Sequence, residues 1–315
     1  MKFSDITGQE TIIEVLKRAI RDDRCSSAYL FAGPDGVGKK MTALAFARVL
    51  NCTGRGKGSA DACGECVSCR KISANNHPDV RIIGVAEDKK EISIEQIRDL
   101  ERDVSYKPLE ALKKVYIIED ANALNMAAAN CLLKTLEEPP LNVVLILIAS
   151  NIHGILATIR SRCQIFRFRT IPARAIQKFL RERCDQQEDK AEAIARLACG
   201  RLGEAVKYAS SGIESVMEQV RRAMDMMNNY EGSQDYEAMF DLCVEINRDR
   251  ESVAGFLDCL AMCLRHDFVK SPRKETRDRI SAVLRTRDMV SRNVNPELAL
   301  NGMFLELCPG KGGSL

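Results

Sequence analysis

The stretch AYLFAGPDGVGK, residues 28–39, decides the fold. Its apolar first half predicts a strand, which leads directly into Gly33, Gly36, Gly38 and Lys39, and an alanine-rich helical segment follows. The pattern G-x-x-x-x-G-K between a strand and a helix is typical of a phosphate-binding loop, in which backbone amides surround an anion and the lysine reaches the terminal phosphates. The stretch therefore predicts a nucleotide-binding loop. A glycine turn that only connects two elements is the alternative.

Further apolar runs alternate with helical segments along the first half of the chain. These strand-like runs lie at 80–85, 115–118 and 143–149. Because each run is apolar on both faces, the pattern predicts an α/β fold with a parallel sheet covered by helices on both sides. From Thr170 onward the apolar residues take helical spacing instead, which predicts that the remainder is all helical.

The length of 315 residues exceeds one ordinary core, so two or three domains are expected. We predict an α/β domain over 1–169, a small helical lid over 170–210 and an all-helical domain over 211–315. The formal net charge is only +3, so contact with nucleic acid would need local clusters of charge. The longest apolar run, 143–149, is too short to span a membrane, and the N-terminus lacks an apolar signal segment. We therefore expect a cytoplasmic protein without a membrane partner.

The residues that would hold magnesium beside the phosphates depart from the usual pattern. The position after Lys39 normally carries a hydroxyl that ligates the metal, and here it is Lys40, whose ammonium would repel the cation. Glu119 and Asp120 follow the predicted strand 115–118, where nucleotide hydrolases keep one carboxylate for magnesium and one for the attacking water. Their order is reversed from the usual Asp then Glu. We expect a degraded magnesium site and leave ATP binding open, and a solvated acidic strand end is the alternative for the two carboxylates.

A second candidate site is a cluster of cysteines in the insertion at about 52–69. Cys52, Cys63, Cys66 and Cys69 follow the spacing C-x10-C-x2-C-x2-C. The two short spacings let successive sulfur atoms converge on one tetrahedral ion, and the longer loop returns the first cysteine to it. Four thiolates leave no open coordination position, so the spacing predicts a structural zinc ion. A redox pair or a chance cluster is the alternative.

Taken together, these segments resemble the bacterial clamp-loader branch of the AAA+ ATPases, over nearly the whole chain. The resemblance is carried by the cysteine cluster and by ITGQ (6–9), AYLFAGPDGVGK (28–39), HPD (77–79), VYIIEDAN (115–122), NCLLKTLEEPP (130–140) and TIRSRCQIFRF (158–168). LLKTLEEPP and SRC together are specific to clamp loaders. The resemblance implies an AAA+ domain with a zinc-binding insertion, a helical lid, and a C-terminal collar through which subunits assemble.

The resemblance also implies a role for Arg162 in the Ser-Arg-Cys element, which in this family presents an arginine finger to ATP held by the neighbouring subunit. Without the family pattern, Arg162 would look like a surface charge, as Arg160 and Arg167 do. The family's second sensor arginine has no counterpart, because Gly203 occupies its place. With Lys40 and the reversed carboxylates, this is the third departure from a working ATPase.

The resemblance therefore implies a non-hydrolysing subunit of the bacterial DNA polymerase III clamp loader, which completes a neighbour's ATP site while the sliding clamp is loaded during DNA replication. The implied partners are gamma/tau and delta subunits in a heteropentamer, with the clamp and primer-template DNA bound through the assembly. One alternative is an ATP-hydrolysing motor subunit of the gamma/tau type, with Lys39, Glu119 and Asp120 in working roles. Another is a binding module whose zinc insertion holds DNA or a protein independently of a loader.

Overall fold

A computed structural model describes residues 2–56, 59–86, 89–211, 213–229, 235–247, 250–291 and 294–307. The chain divides into two compact units, Met1–Lys207 and Tyr208–Leu315. The further separation of a lid at 170–210 stays a prediction. Within the described ranges, no helix combines the length and apolar character needed to cross a membrane.

The first unit is built on a parallel sheet. Its strands are β1 (Ala28–Ala32), β2 (Val80–Ile83), β3 (Lys114–Ile118), β4 (Val143–Ala149) and β5 (Gln164–Arg167), in the spatial order β2-β3-β4-β1-β5. Its helices are α1 (Glu10–Arg21), α2 (Lys39–Leu50), α3 (Val67–Ser73), α4 (Ile94–Val104), α5 (Met126–Glu137), α6 (Ala157–Arg160), α7 (Ala173–Cys184), α8 (Glu188–Leu197) and α9 (Leu202–Ser211), of which α9 continues into the second unit.

The central strands follow the apolar runs of the sequence, and the edge strands do so less closely. Every residue of β1, β3 and β4 is buried, as expected for strands covered on both faces. The apolar runs did not predict β5, whose sequence Gln164–Arg167 alternates and buries only Phe166. An edge strand has a neighbour on one side only, so its sequence carries a weaker apolar signal.

The sheet separates two apolar cores, and this confirms the predicted layering. Tyr29 and Phe31 of β1 point into the core covered by α1 and α2. Leu30, between them, points into the core covered by α4 and α5. This alternation follows from the two-residue period of a strand, and it leaves the carboxyl ends of the strands as the edge where the phosphate loop and the acidic pair emerge.

The described part of the second unit consists of helices joined by short connections. Its helices are α10 (Ile213–Asn229), α11 (Asp235–Ile246), α12 (Arg250–Lys270), α13 (Lys274–Ser291) and α14 (Pro296–Leu307). In α12, Val253, Phe256, Leu257 and Leu260 recur at three- and four-residue intervals and are fully buried. The prediction of an all-helical C-terminal region is therefore confirmed.

Candidate functional site

The phosphate loop lies between the end of β1 and the start of α2, as its sequence predicts. Gly33 must be glycine because a Cβ there would lie 2.3 Å from the backbone oxygen of Phe168. Gly38 is the N-cap of α2 with a φ of 97°, a left-handed conformation that residues with side chains rarely adopt. These glycines let the chain curve tightly in front of the positive end of α2, where an anion is stabilised.

Lys39 lies inside this curve. Its side chain is 5% exposed, and its Nζ donates hydrogen bonds to the carbonyl oxygens of Gly33 and Pro34 and to Oδ1 of Asp35. The distances to Pro34 and Asp35 are 2.8 and 3.0 Å. The ammonium is thus held where the loop would enclose a phosphate, with the loop's own acceptors as its partners.

Lys40 points to the acidic pair. Its Nζ lies 2.5 Å from Oε1 of Glu119, so an ammonium pairs with one of the two carboxylates expected at a magnesium site. Thr42 does not replace the missing hydroxyl ligand, because its Oγ1 is buried and donates to the carbonyl oxygen of Gly38 at 2.8 Å. The donor set around the loop therefore does not fit magnesium.

Asp120, the second acidic residue, begins a turn with a φ of 54°. Burial raises the pKa of its carboxyl, the charge of Asp35 raises it further, and Lys39 opposes the rise. The carboxyl is therefore close enough to the phosphate loop to respond to its charges. The structure thus brings Glu119 to Lys40, and the carboxyl of Asp120, at the next position, responds to the charges of Asp35 and Lys39.

A cavity of about 520 Å³ opens beside the loop. Its walls combine polar residues of the loop with apolar side chains from four other segments, namely Met41, Ile148, Phe179, Leu202 and Val206. The size is within the usual range for small-molecule sites, about 300–1,000 Å³. The apolar walls were not predicted, because residues far apart in the sequence supply them.

Gly203, which the family resemblance places where a sensor arginine is expected, packs directly on the phosphate loop. Its backbone N–H donates to the carbonyl oxygen of Gly36 at 2.8 Å. A Cβ at position 203 would lie 3.0 Å from the Cα of Gly36. The start of α9 therefore approaches the loop so closely that a side chain at 203 would press on its backbone.

Gln9 forms side-chain hydrogen bonds that hold the phosphate loop, a role that the residue patterns alone did not indicate. The side chain is 5% exposed, and its Nε2 donates to the carbonyl oxygens of Val37 at 3.3 Å and Arg169 at 2.8 Å. It thereby ties the phosphate loop to the segment after β5. In the sequence, Gln9 belongs to the ITGQ element, which supports the family resemblance but does not predict what Gln9 contacts.

Arg162 and the phosphate loop lie at opposite ends of the parallel strands. Arg162 precedes β5, which pairs in parallel with β1, so it is near the amino end of the strands whereas Gly33 leaves the carboxyl end. The intervening strand alone spans about 10 Å. The Arg162 side chain is 34% exposed, and its guanidinium donates to Oε1 of Glu137 at 2.6 Å and to the carbonyl oxygen of Thr158 at 3.0 Å. The LEEPP and SRC elements thus meet through an ion pair at the surface.

The four cysteines predicted as zinc ligands converge in space. Their sulfur atoms all lie within 4.8 Å of one another, and the Cys52–Cys66 and Cys63–Cys69 pairs are 4.0 Å apart. A tetrahedral ion with Zn–S bonds of about 2.3 Å requires sulfur atoms about 3.8 Å apart. All four are free thiols, so the spacing fits a metal better than a disulfide.

The surroundings of the cluster favour thiolates at two of the four positions. The backbone amides of Cys66 and Glu65 lower the pKa of Cys63. Burial raises the pKa of Cys66, but hydrogen bonds, first from the amide of Cys69, outweigh it and lower the value to about 5. In contrast, burial raises the pKa of Cys69 to about 12. A bound zinc ion would deprotonate the remaining thiols and link α2 to α3 through the insertion, with no position open for a reactant.

The cysteine insertion also holds the start of the chain. The two carboxylate oxygens of Asp61 accept hydrogen bonds from the backbone N–H groups of Phe3 at 3.0 Å and Ser4 at 3.2 Å. Phe3 is buried in the same core as Cys52 and Cys69. The N-terminal segment that leads to Gln9 is therefore anchored on the predicted zinc module.

Comparisons with known proteins find related sequences. A family model described as DNA polymerase III, delta subunit, matches residues 8–172. The tau subunit of DNA polymerase III from Bacillus subtilis (strain 168) is 36% identical over 217 residues, which cover 67% of this chain and 38% of that protein. The delta' subunit from the same strain is also 36% identical, over 201 residues that cover 64% of this chain and 59% of that protein. The matched part of the chain therefore spans between about two fifths and three fifths of the length of these relatives.

A solved structure shows a related fold. A DNA polymerase III gamma subunit-related protein from Thermotoga maritima aligns over 95% of this chain and 99% of its own, with a TM-score of 0.50 and 18% sequence identity. At that identity the likeness concerns the fold alone. The tau and delta' subunits are equally similar to this chain in sequence, at 36% identity each.

Proposed function

This chain belongs to the DNA polymerase III delta subunit family, and we propose that it acts as a delta-prime-type subunit of the clamp loader. Its fold is the predicted AAA+ fold, a parallel five-stranded sheet with helices and a mostly helical C-terminal region. In this proposal the chain does not hydrolyse ATP itself and supplies Arg162 to ATP on a neighbouring subunit. The partners are gamma/tau and delta subunits in a cytoplasmic hetero-oligomer, which contacts the sliding clamp and primer-template DNA.

The observation that carries the proposal is the position of Arg162. Its guanidinium is partly exposed at the amino edge of the sheet, remote from the chain's own phosphate loop at the carboxyl edge. A planar guanidinium on a surface can stabilise the charge that spreads over the oxygens of a phosphoryl group held by another subunit. Glu137 orients the arginine in the free chain, and an incoming phosphate would compete with that carboxylate.

The chain's own phosphate loop supports the non-hydrolysing half of the proposal. Lys40 places an ammonium against Glu119, where a metal ion would have to bind. Gly203 provides no cationic side chain at the sensor position. Magnesium, when bound in an active ATPase, neutralises the developing phosphate charge, and these residues leave it without a hydroxyl ligand.

The cysteine cluster has a structural part in this proposal. A zinc ion held by Cys52, Cys63, Cys66 and Cys69 would fix the insertion between α2 and α3. We propose no reaction at this site, because four thiolates complete the tetrahedral coordination of zinc.

The second candidate function is an ATP-hydrolysing subunit of the gamma/tau type. It is favoured by the retained loop glycines, by Lys39, and by the cavity of about 520 Å³ beside them. The equal sequence identity to a tau subunit also favours it. ATP turnover by the isolated chain distinguishes the two, since a motor subunit would hydrolyse ATP and the proposed subunit would not.

The arginine role is tested by replacing Arg162 in a reconstituted loader. An arginine finger contributes about 10³–10⁵ in rate at its own site, so Arg162→Ala should silence the adjacent site and lower total ATPase activity by that site's share. Arg162→Lys should rescue little, because an ammonium lacks the planar fork of donors. Arg167→Ala, which removes another exposed arginine, is the matched control and should leave the rate unchanged. Unchanged activity in Arg162→Ala would refute the role.

A further inference from the structure

The ion pair between Lys40 and Glu119 has a consequence for the ligand of the phosphate loop. Lys40 lines the same cavity as Gly36, Gly38 and Lys39, and its Nζ is 2.5 Å from the Glu119 carboxylate. In a magnesium-dependent site the residue at this position and a strand-end carboxylate hold the metal between them. Here an ammonium pairs with that carboxylate instead.

We propose that this pocket binds a nucleoside di- or triphosphate as the metal-free anion, with the ammonium of Lys40 in the role of the magnesium ion. This inference deepens the proposed function, since it rests on the chain's own site being non-hydrolytic. A nucleotide bound without magnesium would not be hydrolysed and would serve as a structural ligand of the subunit.

The charges around the loop support this ligand form. Lys39 and Lys40 are the first two residues of α2, whose first turn contains no acidic residue, so two ammonium groups lie at the positive end of the helix. Lys40 is 54% exposed, so its long side chain has room to turn from Glu119 to a phosphate oxygen. A magnesium ion entering the same space would meet this positive charge and would find no free hydroxyl.

The opposing charges are also defined. Glu119 competes with the phosphate for Lys40, and Asp35 competes for Lys39. Asp120 adds negative charge when it is ionised. We therefore expect the Glu119→Gln substitution to tighten metal-free binding, because it releases Lys40 without removing a cation.

In this proposal, the apolar part of the cavity contacts the base of the nucleotide. Phe179, Leu202 and Val206 form its walls beside the loop, and they suit the flat face of a base. ATP and ADP are therefore the probes, each measured separately.

The test is calorimetric titration of the full chain with ATP or ADP, with magnesium in excess or absent. The magnesium-free arm should use metal-depleted buffer, since a chelator would also remove zinc from the cysteine cluster. We expect the affinity of the wild-type protein for nucleotide to differ by less than about threefold between the two arms. Lys40→Ser should bind nucleotide about tenfold more weakly than wild type without magnesium, and its affinity should recover when magnesium is added. Lys178→Ser, which removes an exposed lysine of α7, is the matched control and should behave as wild type.

Three results would overturn the inference. They are a wild-type affinity that falls about tenfold when magnesium is omitted, a Lys40→Ser protein that binds like wild type in the metal-free arm, and the failure of both nucleotides to bind in either arm. Each leaves the Arg162 role intact, because that role is measured as ATPase activity of the assembled loader. Loss of the Arg162 effect, in turn, would not alter the titrations.

Discussion

Replacing Cys66 by serine should weaken zinc binding at the cysteine cluster. The four sulfur atoms lie within 4.8 Å of one another, close to the geometry that one tetrahedral ion requires. Structural zinc sites in small peptides contribute about 10–16 kcal/mol, so one ligand of four corresponds to about 3 kcal/mol, or about 100-fold in affinity. Serine is nearly isosteric, but its hydroxyl stays protonated at neutral pH and is a poor ligand.

The assay is zinc content after purification, followed by competition with a chromophoric chelator. Wild type should contain one zinc ion per chain and Cys66→Ser should lose it to the chelator at about 100-fold lower concentration. Cys199→Ser, which changes an exposed cysteine outside the cluster, should match wild type. Wild-type protein with well under one zinc per chain, or a Cys66→Ser protein with unchanged affinity, would refute the reasoning.

Three further predictions concern the framework of the site. Gly203→Ala should lower the free energy of unfolding of the first unit by about 1 kcal/mol in urea, because the steric cost of a Cβ against Gly36 exceeds the higher helix propensity of alanine. A stabilised variant would contradict this. Asp61→Ala should speed amide hydrogen exchange in the N-terminal segment while zinc content stays constant, and unchanged exchange would show that the anchor is not needed. Burial raises the pKa of the Asp79 carboxyl, but hydrogen bonds from the three backbone amides of 109–111 outweigh this effect and hold the pKa below the ordinary 3.8. The ionised carboxylate therefore stabilises the fold above pH 3.8, and this stabilisation is lost as the pH falls through the lower pKa of the folded state. Asp79→Asn should therefore be less stable by about 2 kcal/mol at neutral pH and show less acid dependence, and an unchanged acid transition would contradict the assignment.

The sequence predicts the parts of this fold that depend on local pattern. The runs 28–32 and 143–149 coincide with β1 and β4, because central strands are apolar on both faces. The cysteine spacing likewise predicts the convergence of four sulfur atoms, since short loops restrict where each thiol can lie. β5 was missed because an edge strand with only Phe166 buried carries too little apolar signal.

The contacts that define the site lie beyond such patterns. That Lys40 is no magnesium ligand follows from its chemistry, but its pairing with Glu119 depends on how α2 and β3 are placed by the sheet. Gln9 and the apolar cavity walls come from segments separated by many residues, so only the folded chain brings them to the loop. Arg162 was singled out by family resemblance, and its ion pair with Glu137 became visible only in the structure.

The most direct test of the central claim compares two variants, Lys39→Ala and Arg162→Ala, by the steady-state ATPase rate of the loader reconstituted around each. If this chain completes a neighbour's site and does not use its own for hydrolysis, Lys39→Ala should retain the wild-type rate within about twofold, while Arg162→Ala should lose the share of one site. The reverse result, a rate that falls with Lys39→Ala and survives Arg162→Ala, would contradict the account.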